Sequence, residues 1–221
     1  MNVAFYKSVR LACRFVKVQC IRELVLHRHR ADRAGGFILA CTHISHLEAF
    51  AVGLIVPRPV HWISRIEFFK RRWAAAIMLA GGAVPVDRTG FSLPAVRRAI
   101  RLATDGRVIG IFPEGAVTQG ARSVLRGGPI KQGVCTIAIR SRVPVVPVVI
   151  LGTEKLNRVG PWLPARRGRV WVAFGRDVLP PARQTGNRAA RAEMASRLTT
   201  EFRATYHELL AAASLRDEDV A

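Results

Sequence analysis

The chain has 221 residues, room for one sizeable hydrophobic core and one catalytic or binding domain. Half of it is hydrophobic (50%), more than in an ordinary soluble protein and too little for a multi-span membrane protein. Thirty-five Lys and Arg against 15 Asp and Glu give a formal charge of +20, which calls for an anionic partner, either nucleic acid or an anionic lipid surface.

Residues 2 to about 30 are apolar and cationic together. Lys7, Arg10, Arg14 and Lys17 recur at helical steps, while Val9, Phe15, Val16, Val18, Ile21, Leu24 and Val25 fill the other positions. The cations interrupt every apolar window, so a spanning helix is not expected. The pattern fits an amphipathic helix over residues 1–33 that lies in a membrane interface, with an ordinary helix packed on the domain as the alternative. Residues 34–221 are expected to form the main domain, opened by the break at Ala34-Gly35-Gly36.

Phe37 to Cys41 reads as a buried strand, and Ala49 to Leu54 as the body of a helix. Between them lies Thr42-His43-Ile44-Ser45-His46-Leu47-Glu48. A neutral imidazole can take a proton from an alcohol, and a carboxylate on its other nitrogen fixes the tautomer. Residues five apart on a regular helix are separated by about 140°. His43 and Glu48 can therefore meet only if His43 stands on the loop and Glu48 in the first turn. Ser45 to Glu48 also matches a capping box, in which Glu48 would only bind a backbone N–H. His46 reads as a bystander.

Pro57 and Pro59 mark a turn, Val60 to Ser64 a second strand, and Glu67 to Met78 a helix with aromatics beside cations, a composition suited to a headgroup boundary or to a basic-edged core helix. Gly81-Gly82 ends it, and Ala83 to Val86 is a short extended piece with Arg88 at its exit. Pro94 opens another helix, closed by Asp105-Gly106. Val108 to Phe112 reads as a central strand, with Pro113-Glu114-Gly115 at its carboxyl end, where ligand sites of α/β sheets gather. A loop-like stretch from Ala116 to Gly128 leads to Lys131-Gln132-Gly133 and a helix from about Val134 to Arg140. The two prolines of Val143 to Ile150 argue for an edge strand or a bulged start. Arg169 to Gly175 reads as a last strand and Asn187 to Ala213 as a closing helix. The alternation of helices and strands implies an α/β fold: a mixed, largely parallel central sheet flanked by helices.

Cys13, Cys20, Cys41 and Cys135 make no Cys-x-x-Cys pair and no Cys/His zinc spacing. All sit in apolar surroundings and read as reduced thiols, which favours a cytoplasmic setting. The cations are spread over helices, and no recognised motif interleaves them with stacking aromatics, so no nucleic-acid partner is expected.

His43 with Glu48, then Gly82 to Arg88, then Phe112-Pro113-Glu114-Gly115, then Val143 to Val148 resemble, in order and spacing, the four blocks of the glycerolipid acyltransferase family, lysophosphatidate acyltransferases among them. The resemblance covers roughly residues 35 to 155. It implies a catalytic pair in which His43 is the general base and Glu48 stands for the usual Asp. It implies Arg88 as the binder of an acceptor phosphate, Glu114 with Gly115 as holders of the glycerol part, and Lys131 near the phosphate. It further implies acyl transfer from acyl-CoA or acyl carrier protein to a lysophospholipid hydroxyl, with no metal and no resident cofactor. The setting it implies is the cytoplasmic face of the cell membrane, peripheral or monotopic, against anionic lipid. Three positions depart from the family pattern: Glu48 for Asp, Thr42 where Asn often precedes the histidine, and Ala116-Val117-Thr118 where a Thr-Arg-Ser-like run is common, with Arg122-Ser123 further on as its candidate substitute. The alternatives are the same chemistry on another lysolipid or an amino-acid lipid, and a non-catalytic lipid- or nucleic-acid-binding protein.

Overall fold

The computed structural model describes residues 2–8, 10–11, 21–87, 93–118, 120–156, 168–182 and 188–219. Seven strands are β1 (Ile21–Leu26), β2 (Phe37–Cys41), β3 (Val60–Arg65), β4 (Val84–Val86), β5 (Val108–Ile111), β6 (Val145–Leu151) and β7 (Gly168–Phe174). They form one sheet in the order β1-β7-β6-β2-β5-β3-β4. The pairs β6–β2, β2–β5, β5–β3 and β3–β4 are parallel, β6–β7 is antiparallel, and β1 runs parallel to β7. The fold is thus the mixed, largely parallel α/β sheet expected, and five strands bring their carboxyl ends to one rim.

The helices are α1 (Glu48–Ile55), α2 (Arg72–Ala80), α3 (Leu93–Thr104), α4 (Gly133–Ser141) and α5 (Arg188–Ala213). Successive strand residues point to opposite faces. On one face Ile38, Ala40, Ile109, Val145 and Val149 meet Ala99 and Ala103 of α3, Ile137 and Ala138 of α4, and Met194, Leu198 and Phe202 of α5. On the other, Phe37, Leu39, Cys41, Val108, Val146, Val148 and Ile150 pack against Val52 and Ile55 of α1. Every residue of β2 and β6 is buried, as strands covered on both sides require.

Three expectations are corrected. The N-terminal helix does not run through residues 1–33. Residues 3–8 and 10–11 are helical, but Ile21–Leu26 is β1 and Arg28–Ala31 is a 3-10 turn. Arg14, Lys17, Cys13 and Cys20 lie outside the described residues. Ile21 and Val25, two β-branched residues at even spacing, pack on the second core layer, and β1 covers the edge that β7 would otherwise expose. Arg30 binds the Phe174 carbonyl at 2.7 Å, so a domain boundary at residue 33 would cut the sheet. Next, the helix expected over Glu67 to Met78 is broken: Ile66–Phe69 is a 3-10 turn, and Arg71 is extended (φ −91, ψ 126) before α2 begins.

Finally, β6 is central, not an edge. The expected bulge is present at its start, where the register slips by one residue between Val148↔Phe174 and the isolated bridge Val145↔Val178. Pro147 lies in that slip, and its carbonyl accepts from Gly175 N–H at 2.8 Å. A proline has no N–H to give in return, and the regular β6–β7 ladder ends next to it, at Val148.

Candidate active site

At the carboxyl rim, β2 ends in Cys41 and the chain turns through Thr42 to Leu47 before α1 starts at Glu48. Thr42 Oγ1 accepts from Ile150 N–H at 2.9 Å and donates to the Ile150 carbonyl at 3.3 Å, which carries the β2–β6 pairing one residue further and anchors the base of the turn. His43 Nδ1 then lies 3.0 Å from Glu48 Oε2. The histidine side chain is 12% exposed and the glutamate 0%. Because a carboxylate only accepts, Nδ1 carries the proton and Nε2 is the basic atom of the ring.

Capping and orienting turn out not to be rivals. Glu48 Oε1 accepts from Ser45 N–H at 2.8 Å and from Thr153 Oγ1 at 2.6 Å, while Oε2 addresses His43. Ser45 Oγ in turn accepts from Leu47 N–H at 3.1 Å rather than capping deeper in the helix. One oxygen closes the turn and the other aligns the imidazole. Thr153 follows β6 and holds the longer Glu side chain. Glu48→Asp would withdraw the carboxylate by about one C–C bond, ~1.5 Å, so it cannot keep both contacts. Expected is a fall in kcat of about tenfold or more as the tautomer control loosens, measured at saturating substrate. An unchanged kcat with a lowered Tm would leave Glu48 as a cap alone.

The ring faces are packed. Phe112, just past β5, stacks on His43 at 4.0 Å and 20°, and Trp62 of β3 stacks on Phe112 at 5.1 Å and 14°. The row of rings needs Gly110, opposite Trp62 in the register, because a Cβ there would meet the indole at 2.5 Å. The His46 ring stands edge-on to His43 at 5.8 Å. Burial, then the neighbouring His43, pushes the His46 imidazole below its ordinary value, which keeps it neutral. Cys41, two residues from His43, is a poor nucleophile: burial, then the Glu48 carboxylate, pushes its thiol well up.

Glu114, 7% exposed, faces inward. Its Oε2 accepts from His43 N–H at 2.9 Å, and its Oε1 accepts from Ser123 Oγ at 3.0 Å and Val124 N–H at 2.8 Å. Thr118 N–H donates to the His43 carbonyl at 2.8 Å. The peptide of His43 is thus held from both sides by the segment after β5. Gly115 has φ +78, and a Cβ on it would lie 2.9 Å from Lys131 Nζ, so the glycine lets the ammonium close over the turn. The Lys131 N–H binds the Pro113 carbonyl at 2.8 Å. His43, Glu48, Glu114, Gly115 and Lys131 therefore share one rim. Arg88 lies outside the described residues; the chain enters that stretch beyond the carboxyl end of β4.

Sequence reading named Ser123 only with Arg122, as a stand-in for the Thr-Arg-Ser-like run, and missed Thr153 and the Trp62–Phe112 stack as parts of the site. Among the described residues no three His, Cys, Asp or Glu side chains converge as a metal site would require.

A histidine aligned by a buried carboxylate, at the carboxyl rim of a mixed sheet, can take a proton from a hydroxyl brought to Nε2. The family model described as Acyltransferase matches residues 23–151, more than half of the chain, and the chain belongs to that family. It is 30% identical over 129 residues to a 1-acyl-sn-glycerol-3-phosphate acyltransferase of Bacillus subtilis (strain 168), covering 58% of this chain and 62% of that one. It is 34% identical over 90 residues to the chloroplastic 1-acyl-sn-glycerol-3-phosphate acyltransferase BAT2 of Brassica napus, covering 40% of this chain and 24% of that one. The match thus spans less than two thirds of either relative. The crystal structure of the 1-acyl-sn-glycerophosphate (LPA) acyltransferase PlsC from Thermotoga maritima shares the fold, with a TM-score of 0.63 at 22% identity over 91% of this chain and 79% of that one.

Proposed function

We propose that this chain transfers a fatty acyl group from an acyl thioester, acyl-CoA or acyl carrier protein, to the hydroxyl of lysophosphatidic acid or a related lysophospholipid. The observation that carries this is the His43 Nδ1–Glu48 Oε2 contact of 3.0 Å, with Glu48 fully buried and Nε2 left as the base. The acceptor hydroxyl gives its proton to Nε2 as its oxygen attacks the thioester carbonyl. The tetrahedral intermediate expels the thiolate, which takes the proton back from the imidazolium. No acyl-enzyme is needed, in keeping with the depressed reactivity of Cys41. The names of the relatives support the phosphorylated acceptor, and the excess of cations supports work at an anionic membrane surface on the cytoplasmic side. No helix among the described residues is long and apolar enough to cross a membrane, and the attachment proposed is peripheral or monotopic.

Two cations are assigned to the acceptor phosphate, Arg88 through its bidentate fork and Lys131 as a point charge over Gly115. The test is a panel of lysolipids offered with both donor types and followed by lipid mass spectrometry. Arg88→Ala should raise KM for lysophosphatidate by about tenfold or more, the worth of a charge-assisted pair, with a smaller change in kcat. An equal KM would remove the phosphate from Arg88, and a panel with no acylated product would leave a non-catalytic basic binding protein.

A further inference from the structure

Helix α2 is built against the usual pattern. Of its nine residues, all but Arg72 are apolar, yet none is buried. Trp73 is 64% exposed, Ile77 50% and Leu79 45%. At about 100° per residue, Trp73, Ala76, Ile77 and Ala80 share one side, with Leu79 and Arg72 on its flank. A helix apolar all round belongs in a core or in lipid, and α2, which joins β3 to the edge strand β4, places none of its residues in the core. Asn2 N–H donates to the Ala80 carbonyl at 2.9 Å, which sets the N-terminal helical segment, with Val3 53% exposed, at the far end of this stripe. At the near end stand Lys70, Arg71 and Arg72, all exposed, and Ile66, 43% exposed. Arg65 at the end of β3 pairs with Glu67 at 2.8 Å, so the segment from 65 to 72 keeps a surplus of positive charge.

We propose that the outer face of α2, led by Trp73 and Ile77 and headed by Lys70, Arg71 and Arg72, is the surface by which this chain lies on an anionic bilayer. The apolar stripe enters the acyl boundary, Trp73 sits at headgroup depth, and the three cations meet lipid phosphates. The cationic end follows β3 at the rim that also carries His43, so docking there brings the base alongside the surface from which a lysolipid would come. This deepens, and rests on, the reading of the chain as a lipid acyltransferase.

The test is co-sedimentation of the full chain with vesicles of equal parts phosphatidylglycerol and phosphatidylcholine, against pure phosphatidylcholine. W73E/I77E should lose binding to the mixed vesicles by at least about tenfold, since each buried apolar side chain is worth that much or more. K70A/R71A/R72A should lose about fivefold per cation on the anionic vesicles alone. Brominated lipid should quench the fluorescence of the wild-type chain and much less that of Trp73→Phe. Wild-type binding and quenching in these variants would overturn the proposal. So would a wild-type dimer that W73E/I77E splits without changing vesicle binding, which would make a second copy the occupant. W73E/I77E should still acylate a dispersed short-chain lysolipid and fail on a vesicle-embedded one. If the wild type acylates neither while the variants still lose vesicle binding, the docking surface stands and the acyltransferase reading falls.

Discussion

His43→Ala is expected to lower the rate of acyl transfer by about a hundred- to ten-thousand-fold, the range in which a positioned base acts. In the proposed reaction the imidazole meets only the reacting hydroxyl, so KM should move far less than kcat. Folding should survive. The side chain is 12% exposed, and Glu48 keeps its Ser45 N–H and Thr153 hydroxyl partners when the imidazole is gone. Loss of the ring stack on Phe112 should cost about 1 kcal/mol of stability, read as a small fall in Tm. A variant that folds and turns over at the wild-type rate would remove the base from the mechanism.

Glu114→Gln is expected to slow turnover by about tenfold or more through loss of the alignment of His43. The carboxylate accepts three hydrogen bonds, from His43 N–H, Ser123 Oγ and Val124 N–H. An amide turns one of its two oxygens into a donor, so one of these buried donors faces another donor. Each such loss costs about 1–3 kcal/mol. If the amide oxygen keeps Ser123 and Val124, the NH2 is set against His43 N–H and pushes the base out of line. A residue that positions the base lowers kcat with little change in KM for the acceptor. A residue that grips the glycerol moiety, the part the family resemblance suggests for Glu114, raises that KM instead. The kcat-against-KM split decides between the two, and the inward-facing carboxylate favours the first.

The rim of the sheet was legible in the sequence because strand ends are marked by changes in composition. Phe37 to Cys41 and Val108 to Phe112 are apolar runs that stop abruptly, and His43 and Glu114 stand just beyond them. The five-residue gap between His43 and Glu48 already required a non-helical histidine. What was hidden is what arrives from a distance. Thr153 meets Glu48 across 105 positions, and no local pattern announces it. The Trp62–Phe112 stack depends on the β3–β5 register, which the chain order does not reveal. The first strand was hidden for a different reason. Ile21 to Leu26 mixes apolar and charged residues at steps that suit a helix as well as a strand, and the pairing with β7 decides. The two prolines before Ile150 leave an edge or a bulged start open, because a missing N–H says only that the ladder is interrupted, not which strands lie beside it.

The most direct test incubates the purified full chain with an acyl thioester and lysophosphatidate, and follows free thiol and acylated lipid in the same samples. Direct transfer through His43 predicts one thiol released for each phosphatidate formed, no thiol release without the acceptor, and both signals lost together in His43→Ala. Thiol released without acylated lipid, or acyl transfer undiminished in His43→Ala, would contradict it.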